Sequence, residues 1–185
     1  MNILKKTLLT LCTLSSNVLF INSVHANIFD LALSNKTALL TLSNSDTSQA
    51  NRVLKASYFH HEDDADMLDV SFLVGDTSKE DTFLLGGKIY YINLNNTHGY
   101  GLALGAEAEF NLAPQLYLQG QAYYAPQVTS FTDVENYREV ELRIAYDIIP
   151  QASISLGYRN AKVNLENGAS DKFQDSAFVA ISLKF

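Results

Sequence analysis

His60 and His61 stand immediately before Glu62, Asp63, Asp64 and Asp66, the densest polar cluster in the chain. Oxygen-rich loops of this kind ligate Ca²⁺ or Mg²⁺, but the glycine and the ligand spacing of an EF-hand loop are missing. The cluster therefore reads as a solvated loop, and no metal site is expected. Ser57 or Ser71 together with His60 or His61 offers the parts of a lipid hydrolase. Such chemistry needs nucleophile, base and orienting group within hydrogen-bond reach, and no Gly-x-Ser-x-Gly elbow is present. Glu107 and Glu109 have the look of paired glycosidase carboxylates. Two residues apart in an extended chain they share one face, and Lys88, Arg143 and Arg159 supply counter-charges on other strands. An ion-pair network is the simpler reading. The expectation is thus no enzyme, no catalytic residue and no cofactor.

The elements that carry these residues are strands. Between Gly99 and Tyr124, Tyr100, Leu102, Leu104, Ala106, Ala108, Phe110 and Leu112 fall on one parity. Gly101, Ala103, Gly105, Glu107, Glu109 and Asn111 fall on the other, the period-2 mark of a strand with one oily and one polar face. Pro114 breaks the run, as proline does in turns. Alternation then resumes from Leu116 to Tyr124. Both strands reach the roughly 9–11 residues that a tilted strand needs to cross a bilayer.

The same unit recurs along the chain. Candidate strands are Ile28 to Ser34, Ala38 to Ser43, Val53 to His61, Leu68 to Gly75, Phe83 to Tyr91, Tyr100 to Leu112, Leu116 to Tyr124, Glu139 to Ile148, Ala152 to Arg159 and Ala177 to Phe185. Short turns at Pro114 and Pro150 alternate with longer connections at Ala125 to Asp133 and Asn164 to Lys172. The alternation suits an up-and-down antiparallel transmembrane β-barrel, whose short turns and long loops lie on opposite sides and whose strand number is even. Ten strands satisfy the parity. Eight also do, if Ile28 to Ser43 stays outside the closed barrel.

Residues 1–26 read as a cleaved Sec signal peptide: Lys5 and Lys6, an apolar-leaning run to Ile21, then Val24-His25-Ala26 before the cut. Residues 27–185 form the single barrel domain. Cys12, the only cysteine, departs with the signal, and with Lys5 and Lys6 gone the formal charge moves from −7 to −9. An acidic chain is a poor fit to nucleic acid. No later stretch approaches the ~18 apolar residues of a membrane-spanning helix.

Three features decide which way the faces point. Lys88, Glu107, Glu109, Glu139, Glu141, Arg143, Arg159 and Lys184 all sit on the polar parity, and their mixed signs are able to neutralise one another inside a narrow barrel. Tyr91, Tyr100 and Tyr124 fall at one set of strand ends, and Phe83, Phe110, Tyr146 and Phe185 at the other, as two aromatic girdles would. Ile181, Leu183 and the terminal Phe185 share one face, the form of a C-terminal signal for barrel assembly. The oily parity is therefore expected to face lipid. Tyr117, Tyr123, Phe178, Gln119 and Gln121 then fill the lumen, with Gly101, Gly105 and Gly157 making room.

Tyr58-Phe59-His60-His61-Glu62-Asp63-Asp64-Ala65-Asp66, Gly86-Gly87-Lys88, Tyr123-Tyr124-Ala125-Pro126 and Gly157-Tyr158-Arg159 follow one another in an order that resembles the YfaZ family of small outer-membrane proteins. The likeness runs from about Leu54 to Phe185. It implies a Gram-negative outer-membrane location and supplies no activity. The expected protein is a monomeric outer-membrane barrel with a closed or very narrow lumen and a structural or surface-interaction role. Its expected partners are outer-membrane lipid, lipopolysaccharide and, through the last strand, the barrel-assembly machinery. A soluble periplasmic barrel binding a hydrophobic ligand is the alternative, and a lipid-modifying hydrolase the third reading.

Overall fold

Period-2 alternation becomes a closed sheet because each strand finds a partner on both edges. The computed structural model describes residues 28–46, 52–63, 65–77, 81–94, 97–165 and 170–185. The signal-peptide reading, Asp64 and the central residues of several loops lie outside them. The strands are β1 (Ile28–Leu33), β2 (Thr37–Asp46), β3 (Arg52–His61), β4 (Ala65–Thr77), β5 (Asp81–Leu94), β6 (Thr97–Ala113), β7 (Leu116–Ala125), β8 (Ser130–Thr132), β9 (Val134–Ile149), β10 (Ala152–Leu165) and β11 (Ser170–Lys184). All pair antiparallel, and β1 pairs with both β2 and β11, which closes the wall. Ten strands form that wall. The eight-strand alternative fails because β1 and β2 are wall strands: β11 would otherwise present a bare ladder edge.

The strands run further than their alternation suggests. β2 continues to Asp46, β10 to Leu165 and β11 begins at Ser170, although Asn164 to Lys172 reads as a loop. Ladder hydrogen bonds belong to the backbone, so pairing continues through polar residues once a register is set. Pro114 and Gln115 make the β6–β7 turn, and Gln115 takes φ 79°. Its carbonyl accepts the Asp147 amide at 2.8 Å, and its side-chain oxygen accepts the Tyr146 hydroxyl at 3.0 Å.

The connection after β7 holds structure that alternation does not reveal. A single 3₁₀ turn, Gln127–Thr129, leads into β8, which pairs with Gly99–Gly101 of β6. β7 pairs with β6 only from Leu104 onward, so β8 supplies the neighbour that the upper part of β6 lacks. Close approach there requires glycine: a Cβ on Gly101 would lie 2.5 Å from Tyr90 Oη and 2.6 Å from the Thr129 carbonyl.

Ile28 pairs with Lys184, so both lie at one rim, called here the terminal rim. The 126–133 connection lies at the far rim. Outside the barrel, Leu104, Ile144 and Ile181 remain 66%, 42% and 53% exposed, and the other oily residues of their parity stand outward with them. Tyr58, Leu68, Tyr91, Tyr100 and Phe131 follow one another in register across neighbouring strands. They form an aromatic-rich row toward the far rim, in which the Tyr100 and Phe131 rings stack at 5.4 Å. Phe83, Phe110, Tyr146 and Phe185 are exposed toward the terminal rim. An outward apolar band between aromatic rows is the exterior of a membrane barrel.

Candidate functional site: the ionic belt in the lumen

Inward side chains sort into levels. Toward the far rim the inward parity is itself apolar: Phe59, Met67, Ile92, Leu94, Val134, Val163 and Leu165 are buried together with Tyr90 and Tyr137. The Tyr90 and Tyr137 rings meet at 4.9 Å, and the Tyr90 and Ser130 hydroxyls hydrogen-bond at 3.0 Å, tying β5 to β8. This departs from a uniformly polar lumen. Both parities are apolar there, so hydropathy shows no contrast between faces.

Below this layer lies a belt of charges contributed by seven strands. Glu139 of β9 is completely buried, yet its carboxylate is met by cationic and hydrogen-bonding side chains. Lys88 of β5 donates to one of its oxygens at 2.7 Å, and Arg159 of β10 approaches the other at 3.0 Å. Gln121 donates at 2.9 Å, and the Tyr137 hydroxyl donates as well. Lys88 also lies 3.8 Å from Asp69 of β4, and Arg159 lies 3.9 Å from Glu141. Arg143 bridges Glu141, through Nε at 2.7 Å, to Asp30 of β1 at 3.1 Å. Lys55 of β3 pairs with Glu107 of β6, which also accepts the Tyr123 hydroxyl at 2.7 Å. Glu109 accepts from the Gln119 amide at 2.8 Å.

Aromatic faces complete the packing. Lys88 sits 4.2 Å from the Tyr123 ring centre, Arg143 5.1 Å from Phe178 and Arg159 5.3 Å from Phe59. Such contacts favour a cation most where water is excluded. Two glycines leave space for them. A Cβ on Gly105 would fall 2.3 Å from Tyr123, and one on Gly157 would fall 2.5 Å from Phe178.

A cavity of about 240 Å³ opens within the belt on the side of the terminal rim. Its cationic lining is Lys55, Lys88, Arg143 and Arg159; its carboxylates are Asp30, Asp69, Glu107, Glu109, Glu139 and Glu141. Lys88, Glu107, Glu109, Glu139, Glu141, Arg143 and Arg159 are therefore brought together as a network. Lys184 lies outside the belt, 3.6 Å from Asp147 near the terminal rim. Asp30, Lys55 and Asp69 join the network, each a charge on the inward parity of its strand.

The loop cluster is arranged in separate pairs. Asp66 accepts from Tyr58 at 2.8 Å and lies 2.8 Å from His60 Nδ1. Asp63 pairs with Lys36 at 3.0 Å, and its amide donates to His61 Nδ1 at 3.0 Å. The hydrogen bond to Lys36 and its positive charge hold the Asp63 carboxyl below the usual carboxylate range, and Asp63 in turn raises Lys36. Among the described residues no three His, Cys, Asp or Glu side chains are grouped to hold a metal ion. His60 faces outward while Ser57 is on the inward parity and hydrogen-bonded by Thr41 at 3.3 Å. His61 shares the inward parity with Ser57 but stands four residues along the strand, about 13 Å away. Ser71 is buried deep in the lumen, in register with Lys88. The structure does not bring these serines and histidines together.

Among solved structures the chain is similar to the outer-membrane channel DcaP of Acinetobacter baumannii, at 10% identity and a TM-score of 0.45. That match covers 84% of this chain and 54% of the channel, so the chain spans about half of DcaP's length. It is also similar to the NanC porin at 9% identity and a TM-score of 0.45, covering 86% of this chain and 98% of the porin. No curated protein matches the sequence. The family model described as YfaZ precursor matches residues 5–185, and the chain, a small outer-membrane β-barrel, belongs to the YfaZ family.

Proposed function

We propose that this chain is a Sec-exported, monomeric outer-membrane barrel that does not conduct ions and acts as a structural or surface-interaction protein. The observation that carries the reading is Glu139. A fully buried carboxylate is held by Lys88 of β5 and by Arg159 of the neighbouring β10, tying β9 to a strand that it does not pair with, and above it the interior is packed with aliphatic and aromatic side chains. An eight- to ten-stranded barrel has an interior of about the width that side chains fill. Ions crossing it would have to part desolvated ion pairs and then an apolar layer.

The outward rows of aromatic residues support contact with lipid and lipopolysaccharide, and the outward Ile181, Leu183 and Phe185 of β11 support delivery by the barrel-assembly machinery. In this orientation the terminal rim faces the periplasm and the far rim the exterior. Purified protein in planar bilayers is the test: the expected record is a flat baseline at insertion levels verified by recovery of the protein from the membrane. Reproducible unitary current steps would overturn the reading.

A further inference from the structure

The belt is almost, but not fully, self-satisfied. Its cavity is lined by six carboxylates and four cationic side chains, a surplus of negative charge. Among the described residues the hydrogen-bond partner of Glu109 is the neutral Gln119 amide. Lys88 leans to Glu139 at 2.7 Å and leaves Asp69 at 3.8 Å. Among the described residues three buried atoms of the lining, Asp69 Oδ1 and Arg159 Nε and Nη1, have no hydrogen-bond partner. A buried acceptor and two buried donors left open around one cavity are costly unless something fills them.

We propose that the lumen cavity is a binding site for a small hydroxylated amine, of the amino-alcohol or amino-sugar class. The surplus of carboxylates selects a cation, and an ammonium group satisfies Asp69 Oδ1 while balancing the charge near Glu109. Arg159 Nη1 needs an acceptor, but Glu139 and Glu141 flank that guanidinium. They repel a carboxylate or phosphate, so the acceptor is a neutral hydroxyl. At about 240 Å³ the space lies below the usual ~300–1,000 Å³ of drug-sized pockets and suits a ligand of monosaccharide size. Entry is from the terminal rim: the Lys55 side chain is 24% exposed whereas Asp69, deeper in, is 2% exposed. The apolar layer closes off the other approach. The site stands whether or not ions cross the barrel.

Calorimetry on the full chain folded in detergent tests this, with glucosamine as probe and glucose, in which a hydroxyl replaces the ammonium, as control. The expected result is saturable one-to-one binding of glucosamine, none of glucose, and affinity weakened about tenfold or more by Asp69→Asn and by Glu109→Gln. Folding of each variant is checked by heat-modifiable gel migration. If Asp69→Asn does not fold, Glu109→Gln, nearer the opening, decides. A cavity that holds only water gives no heat with glucosamine, and that result overturns the proposal. Equal binding of both sugars, or unchanged affinity in Glu109→Gln, overturns it as well.

Discussion

Removing the Glu139 carboxylate is the sharpest perturbation of the belt. Glu139→Ala leaves Lys88 with Asp69 at 3.8 Å and Arg159 with Glu141 at 3.9 Å, both longer than the 2.7 and 3.0 Å contacts that are lost. It also strands the Tyr137 hydroxyl and one donor of Gln121. Breaking a buried pair by deleting one partner costs about 3–5 kcal/mol, because the remaining charge is left uncompensated. Deleting both partners in a volume-conserving way costs much less. Glu139→Ala should therefore destabilise by about 3–5 kcal/mol, and Lys88→Met should recover part of that loss in the double variant. Urea unfolding from lipid vesicles, followed by tyrosine fluorescence and gel migration, measures both the single effects and their coupling. A loss below about 1 kcal/mol, with coupling near zero, would refute the reasoning. It would mean that water reaches Glu139 and solvates the charges that its removal exposes.

Four further outcomes follow from the same geometry. Leu142 stands outward between Gly120 and Tyr158 in the ladder, so Leu142→Arg should cost about 2–4 kcal/mol near the bilayer midplane, whereas a neutral result in vesicle unfolding would reverse the assignment of faces. Gly105→Ala sets a methyl 2.3 Å from Tyr123 and 2.4 Å from the Ala122 carbonyl and should cost about 1–3 kcal/mol. Gly87→Ala, whose new atom meets nothing closer than 3.4 Å, should stay within about 0.5 kcal/mol in the same assay. At the exposed loop, Asp63 has its folded pKa depressed by Lys36, so the pair contributes above the ordinary carboxylate range and its contribution fades as pH falls through the folded value. An NMR titration should find the Asp63 midpoint low in the parent chain and back in the usual range in Lys36→Ala.

Alternation made the wall legible because residues such as Val140, Leu142 and Ile144 contrast with Glu139, Glu141 and Arg143 at every step. Where the contrast fades, so does the reading. Tyr90-Tyr91-Ile92 and Tyr123-Tyr124-Ala125 are apolar on both parities, so the oily layer inside the far rim left no periodic trace. β8 was also hidden, since its three residues pair with β6, far back along the chain, and strand pairing across a loop has no local signature. The candidate site was half visible. Parity assigns Lys88, Arg159 and Glu139 to one interior but cannot say that Lys88 crosses the lumen to Glu139, 51 residues on. Such partners are set by barrel closure and the stagger of the strands. The loop histidines and acids drew attention through density alone, and their geometry proved to be a set of separate pairs.

The central claim is that β9 turns its oily side chains to hydrocarbon and its ionic ones to the lumen. Single cysteines from Glu139 to Tyr146, spin-labelled in vesicle-embedded protein, report accessibility to oxygen, which dissolves in lipid, and to a polar nickel complex. Because Cys12 is the only native cysteine, a Cys12→Ser background leaves each label unique. The expected pattern has period two, with oxygen collisions highest at Val140, Leu142, Ile144 and Tyr146 and low at the residues between. The opposite phase, or oxygen accessibility that does not alternate, contradicts the account.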